Sequence, residues 1–183
     1  MFDKEYSFKG KHAEMVSMLT SEFTVSTTSN ISSTPKKHKL FDRNLDVYIL
    51  APIIGFMYGR KAEVDTKSDI KPTKIFQGQL SSGYDDLVFN YRLIMLLDKS
   101  NEPDSEKRIE KAFRGNQNLD DEALYNRYVL GGVEVLYEKL MKDAKTADEY
   151  VNRLYDFLEE FSERYNDDLN MEKVLESCRK ASY

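Results

Sequence analysis

Apolar and polar positions alternate in a helical rhythm over most of the chain. Residues 11–22, KHAEMVSMLTSE, bring Ala13, Val16, Met18 and Leu19 to one side of a short helix. Between Tyr84 and Lys99, Leu87, Tyr91, Ile94 and Met95 share a face that Val88, Leu93 and Leu97 widen, predicting a central, nearly surrounded helix. Residues 104–114 predict a short charged helix, acids early and bases late as the helix dipole favours, with Ile109, Ala112 and Phe113 as its apolar stripe. From Leu119 to Asp143, Leu124, Tyr128, Val135, Leu136 and Leu140 turn inward. Gly131-Gly132 interrupts this helix at a cost of about 2 kcal/mol relative to alanines, which predicts a kink or the close approach of another backbone. The clearest helix runs from Thr146, the expected N-cap in a capping box with Glu149, to Tyr165, with Ala147, Val151, Leu154, Leu158 and Phe161 as its stripe. A last helix, 170–181, is predicted to carry Val174, Leu175 and Cys178 inward.

The rhythm fails in three places. Residues 24–35 are a Ser/Thr tract whose hydroxyls compete with the helical backbone, and with the lysines that follow they predict a flexible polar and basic loop over 24–39, or a small hairpin turning at Ser29-Asn30. Segment 44–60 has start signals at Asn44 and Asp46, but Pro52 falls inside it, so either one kinked helix or a short strand followed by a helix fits the pattern. Residues 62–82 predict a connector that docks through Ile75, Phe76 and Leu80. The expectation is an all-α protein, an irregular bundle of about six to seven helices in one domain spanning 1–183.

Composition narrows the class of function. A chain of 183 residues can bury about 70% of the surface it exposes when unfolded. One cysteine, Cys178, excludes an intrachain disulfide and fits a reducing, cytoplasmic setting, as does the lack of a basic start and apolar run at Met1–Glu5. The most apolar stretch, VYILAPIIGFMY at 47–58, is well short of the ~20 residues a bilayer crossing requires, so no membrane partner is expected. Charge is uneven: residues 1–80 hold 12 Lys/Arg against 9 Asp/Glu, and the remainder 15 against 23. Any phosphate-binding face therefore belongs to the first part.

Two histidines, His12 and His38, are too few for a multi-histidine metal site in one chain, and His12 is expected at the surface or boundary. Cys178 reads as a small buried hydrophobe. GFMYGRK at 55–61 lacks the spacing and the Lys-Ser/Thr ending of a phosphate-binding loop. No catalytic residue and no cofactor is assigned.

The sharpest acidic pattern is Glu159-Glu160-Phe161-Ser162-Glu163, which sets Glu159 and Glu163 one turn apart, where they could share a magnesium ion with oxygens from a neighbouring helix. This unit resembles the first half of the metal motif in all-α, MazG-type nucleotide pyrophosphatases, and the resemblance implies a magnesium-dependent enzyme. It covers five residues. The family's downstream E-x-x-D is not met, because Leu175 stands three residues after Glu172 and Arg179 three after Glu176.

The basic run Lys36, Lys37, His38 and Lys39 could settle on a phosphate backbone, which makes a nucleic-acid-associated subunit one alternative. Twelve tyrosines without a tryptophan suit association surfaces as well as a core boundary. Tyr150, Phe157 and Tyr165 lie beside the stripe of the 146–165 helix and are the expected interface of a homodimer. With no chemistry assigned, the leading expectation is a non-catalytic accessory protein that binds a protein partner or itself.

Overall fold

The computed structural model describes residues 2–24, 37–114 and 118–166. Of these, 63% are helical, so the protein is all-α. The elements are β1 (Tyr6–Phe8), α1 (Lys11–Leu19), β2 (Phe23–Thr24), β3 (Lys37–His38), α2 (Asn44–Met57), β4 (Thr73–Ile75), α3 (Gln77–Ser82), α4 (Tyr84–Leu97), α5 (Ser105–Ile109), α6 (Leu119–Leu140) and α7 (Ala147–Asn166). A π-helical turn, Glu110–Arg114, continues α5. The predicted helix 170–181, with Val174, Leu175 and Cys178, lies outside the described residues.

Helices α2 and α6 form the centre, and their contact is made by backbone. A Cβ added at Gly132 would stand 1.7 Å from the Ala51 carbonyl oxygen, one at Gly55 2.1 Å from that of Tyr128, and one at Gly131 2.1 Å from that of Arg60. The glycine pair therefore answers to α2 of the same chain. Helix α6 runs through both glycines unbroken, and Leu124, Tyr125, Tyr128, Val129, Leu130, Val133 and Leu136 bury around them.

Segment 44–57 is one helix with Pro52 inside it. Asp46 accepts a hydrogen bond from the Arg43 backbone N–H at 3.0 Å and starts the helix. Pro52 supplies no N–H, and next to this gap the Asn90 side chain, from α4, donates to the Ile49 carbonyl at 2.8 Å.

The connector 62–82 contains more structure than its pattern predicts. Thr73–Ile75 pairs antiparallel with Tyr6–Phe8, Ile75 opposite Tyr6 and Thr73 opposite Phe8. Ile75 and Leu80 are buried, whereas Phe76, expected to dock, is 60% exposed. Phe23–Thr24 pairs with Lys37–His38, so part of the polar and basic segment is a small antiparallel ribbon.

Many of the tyrosines fill the core. Tyr6 lies 4.3 Å from Tyr48 between ring centroids, Tyr125 packs on Phe2 and Tyr91, and the Tyr6 hydroxyl donates to Asn126 Oδ1 at 2.5 Å. Among the described residues no helix is long and apolar enough to cross a membrane.

Two glycine substitutions of opposite sign test this packing. In α6, Gly132→Ala gains about 1 kcal/mol of helix propensity but drives a methyl group into the Ala51 carbonyl, a clash expected to cost about 3 kcal/mol or more. Gly78→Ala, in α3 with nothing within 4 Å of the new carbon, is expected to stabilise by up to about 1 kcal/mol. Urea denaturation measures both, and a neutral Gly132→Ala contradicts the contact.

Candidate functional site

Buried ionisable groups are where chemistry is normally found. Glu134 emerges from α6 two residues beyond the glycine contact and is 6% exposed. It meets Lys11 Nζ at 2.7 Å, His12 Nε2 at 3.2 Å and Arg60 Nε at 3.2 Å. Arg60 continues to Glu138 at 3.1 Å. Burial opposes ionisation of Glu134, but the Lys11 ammonium and the Arg60 guanidinium outweigh it and hold the carboxyl below its ordinary range.

His12 is fully buried, not at the surface or boundary as expected. Helix α1 turns His12, Ala13, Val16 and Leu19 inward together, and the imidazole reaches Glu134. The carboxylate only accepts, so Nε2 carries the proton, and Nδ1 has no hydrogen-bond partner. Burial lowers the pKa of His12 more than Glu134 raises it.

A second buried acid, Asp98, ends α4. It accepts from the Tyr128 hydroxyl at 2.7 Å, from Ser100 Oγ at 2.5 Å and from the Asn101 backbone at 3.1 Å. Burial opposes ionisation here too, and these hydrogen bonds prevail. Lys61 stands 3.9 Å away and 4.7 Å over the Tyr128 ring. Both acids have their oxygens occupied by the chain's own donors. Each carboxylate accepts three hydrogen bonds from the chain itself, so both acids serve to join elements.

The residues singled out by their sequence pattern are scattered. Glu159 and Glu163 are exposed on α7, and between them Glu160 turns inward to Lys139 at 2.6 Å and to the Tyr58 hydroxyl at 3.1 Å. No group of three metal-ligating side chains exists among the described residues. Lys37 pairs with Glu22 at 2.8 Å, His38 packs by Phe23, and Lys39 is exposed. Lys36 lies outside the described residues. The capping box of α7 is present, Glu149 N–H to Thr146 Oγ1 at 3.3 Å and Thr146 N–H to Glu149 Oε2 at 3.2 Å.

Helix α7 is rotated from its expected setting. Phe157 is 7% exposed, stacked on Tyr58 and beside Phe161, and Tyr150 packs on Phe23, so both are engaged within the chain. The Tyr165 side chain lies outside what the structure describes. The predicted inward residues Val151, Leu154 and Leu158 are exposed instead, together with Tyr155. The aromatics win the inner face because the Tyr58 ring and Lys139 offer them a ring-lined seat.

Helix α4 holds the feature left open. Its inner face is Leu87, Asn90, Tyr91, Ile94 and Met95, but no described element covers its outer face, which corrects the expectation of a surrounded helix. Asp85, Val88, Phe89, Arg92, Leu93 and Leu96, at helical spacing, and Phe113 from the π-helical turn line a groove of about 430 Å³. Phe89 is 63% and Phe113 57% exposed. Of the stripe expected for 104–114, only Ala112 is buried, because the wider π turn swings Phe113 outward over the groove.

Buried Arg108 fixes this edge by donating to the carbonyls of Leu96 at 2.9 Å, Glu102 at 2.8 Å and Pro103 at 2.7 Å. Lys111 adds an ion pair to Asp121 on α6 at 3.1 Å. The Arg92 guanidinium lies 5.6 Å from the Phe113 ring centroid. Compared with protein-family models, curated proteins and solved structures, the chain matches none.

The clue to Glu134 was present in its lone position within the apolar run YVLGGVEVL at 128–136. The groove had a weaker one: α4 carries more apolar residues than one face can bury.

The buried imidazole sets a pH response. Its folded pKa lies below 6.5, so the unfolded chain takes the proton first, and the His12 contribution is complete above 6.5 and lost as pH falls toward the folded value. Glu134, depressed below 4.5, keeps its contribution above 4.5 and loses it as pH falls through its folded pKa. The thermal midpoint should therefore decline between pH 7 and pH 5, before carboxylates of ordinary pKa titrate. Nuclear magnetic resonance should find the His12 ring titrating below 6.5; a midpoint above that value contradicts the buried neutral assignment.

Proposed function

We propose that the protein is a non-catalytic helical interaction module that seats an apolar face of a partner in the groove of α4. The observation that carries this reading is the pair of exposed phenylalanines, Phe89 and Phe113, held across a groove by elements that are themselves fixed. Aromatic side chains on a rigid apolar floor are the usual anchors of protein association, and exposed without a partner they keep a large apolar area in water. Burying one phenylalanine is worth about 1.5–3 kcal/mol, so two of them favour a complex substantially.

The floor suits a helix. Residues 85, 88, 89, 92, 93 and 96 run along α4 at spacings of three and four, and a second helix laid on that row meets ridges and grooves of matching pitch. Arg92 and Asp85 supply charged groups at the rim. The buried acids Glu134 and Asp98, hydrogen-bonded across elements, keep the scaffold in register beneath it.

A photoreactive phenylalanine analogue in place of Phe89 tests the reading in cells. It should yield adducts of defined mass that Phe113→Glu suppresses, and the same analogue in place of exposed Phe76 should yield none of them. Equal adducts from both positions, or none from Phe89, would remove the groove as a docking face.

A further inference from the structure

We infer that the helix this groove accepts is α7 of a second copy of the chain, its Leu154–Leu158 ridge seated between Phe89 and Phe113 with Glu159 at Arg92. The inference rests on the docking reading above and names its partner. Helix α7 presents Val151, Leu154, Tyr155 and Leu158 at spacings of three and four on the side away from the body, exposed by 51%, 37%, 69% and 57%. That is a convex apolar ridge, the shape complementary to the concave row on α4. Among the described residues, the groove thus has no ridge seated in it and the ridge lies in no groove.

Charge decides between this pairing and the simpler one of α7 against itself. Exposed Asp148 and Glu159 lie along the edge of the ridge. Arg153, the one cation of α7 whose side chain is described, lines the opposite hollow with Lys139, Phe157 and Glu160. Two copies of the ridge would bring acids against acids, which association penalises. Arg92 makes no ion pair among the described residues, and its guanidinium stands over the groove, where a carboxylate is the matching group. Asp85, seven residues before Arg92 on the same face, repels an acid and so sets the register, with Glu159 toward Arg92.

Groove and ridge are different surfaces, so the contact is head to tail, and each added copy leaves one of each free. Sedimentation velocity of the full chain tests this. Between about 5 and about 200 µM, concentrations that reach micromolar association, the mass should rise from 21.4 kDa to beyond twice that value.

Phe89→Glu and Leu158→Glu, both at exposed positions, should each hold the protein at one chain with unchanged circular dichroism. Mixed in equal amounts they should form a dimer, because one keeps its ridge and the other its groove. Arg92→Glu should weaken association by about tenfold, and Glu159→Arg in the same chain should restore it. A wild type that stays at 21.4 kDa, a dimer that mixing does not recover, or a Leu158→Glu variant that assembles like the wild type would each overturn the inference. Adducts from position 89 with a protein of another mass would overturn it too, while leaving the groove as a docking face.

Discussion

The structure depends on the approach of two backbones, α2 and α6, at Gly55, Gly131 and Gly132. Side chains hold most helix pairs 8–10 Å apart; here the spaces where three Cβ atoms would stand are filled by the carbonyls of Tyr128, Arg60 and Ala51. The glycines weaken α6 as an isolated helix by about 2 kcal/mol. Burial of its neighbours more than offsets this, since each large apolar side chain removed from water contributes about 1.5–3 kcal/mol. Gly131 also meets the Arg60 carbonyl, so the same contact fixes where the chain leaves α2 and brings Arg60 to Glu134 and Lys61 to Tyr128.

From that seam outward, charge arranges the periphery. Glu134 ties α1 and the end of α2 to α6, and Asp98 ties the end of α4 to it through Tyr128. Removing any one donor would leave a buried carboxylate short of partners, a larger penalty than the bond itself is worth. Arg108 serves the opposite polarity, gathering three carbonyls at the end of α4 and in the following loop. The groove edge therefore sits on elements anchored by buried polar contacts, while its phenylalanines stay exposed.

The helices were legible because their periodicity is strong, and α6 and the capping box of α7 follow it closely. The orientation of α7 was not. Ala147, Val151, Leu154, Leu158 and Phe161 make a good stripe, yet Phe157 and Tyr150, beside it, find aromatic partners in Tyr58 and Phe23 that no local pattern reveals. The strand at Tyr6–Phe8 was invisible for the same reason: its partner Thr73–Ile75 lies far along the chain, and three residues are too few to show alternation. His12 was misplaced because lysine-rich surroundings suggest solvent, whereas the acid that receives it comes from α6. Of the groove, only the surplus of apolar residues on α4 was visible. The π turn that brings Phe113 to it carries no sequence signal.

Native-state hydrogen exchange tests the central claim most directly, because it ranks elements by the free energy needed to open them. If the α2–α6 backbone contact organises the fold, amides of 47–56 and 128–136 should exchange only through global unfolding, with one shared denaturant dependence. The amides of α7, one face of which no described element covers, should open at lower free energy. Exchange of α2 independent of α6, or protection of α7 equal to theirs, would contradict the account.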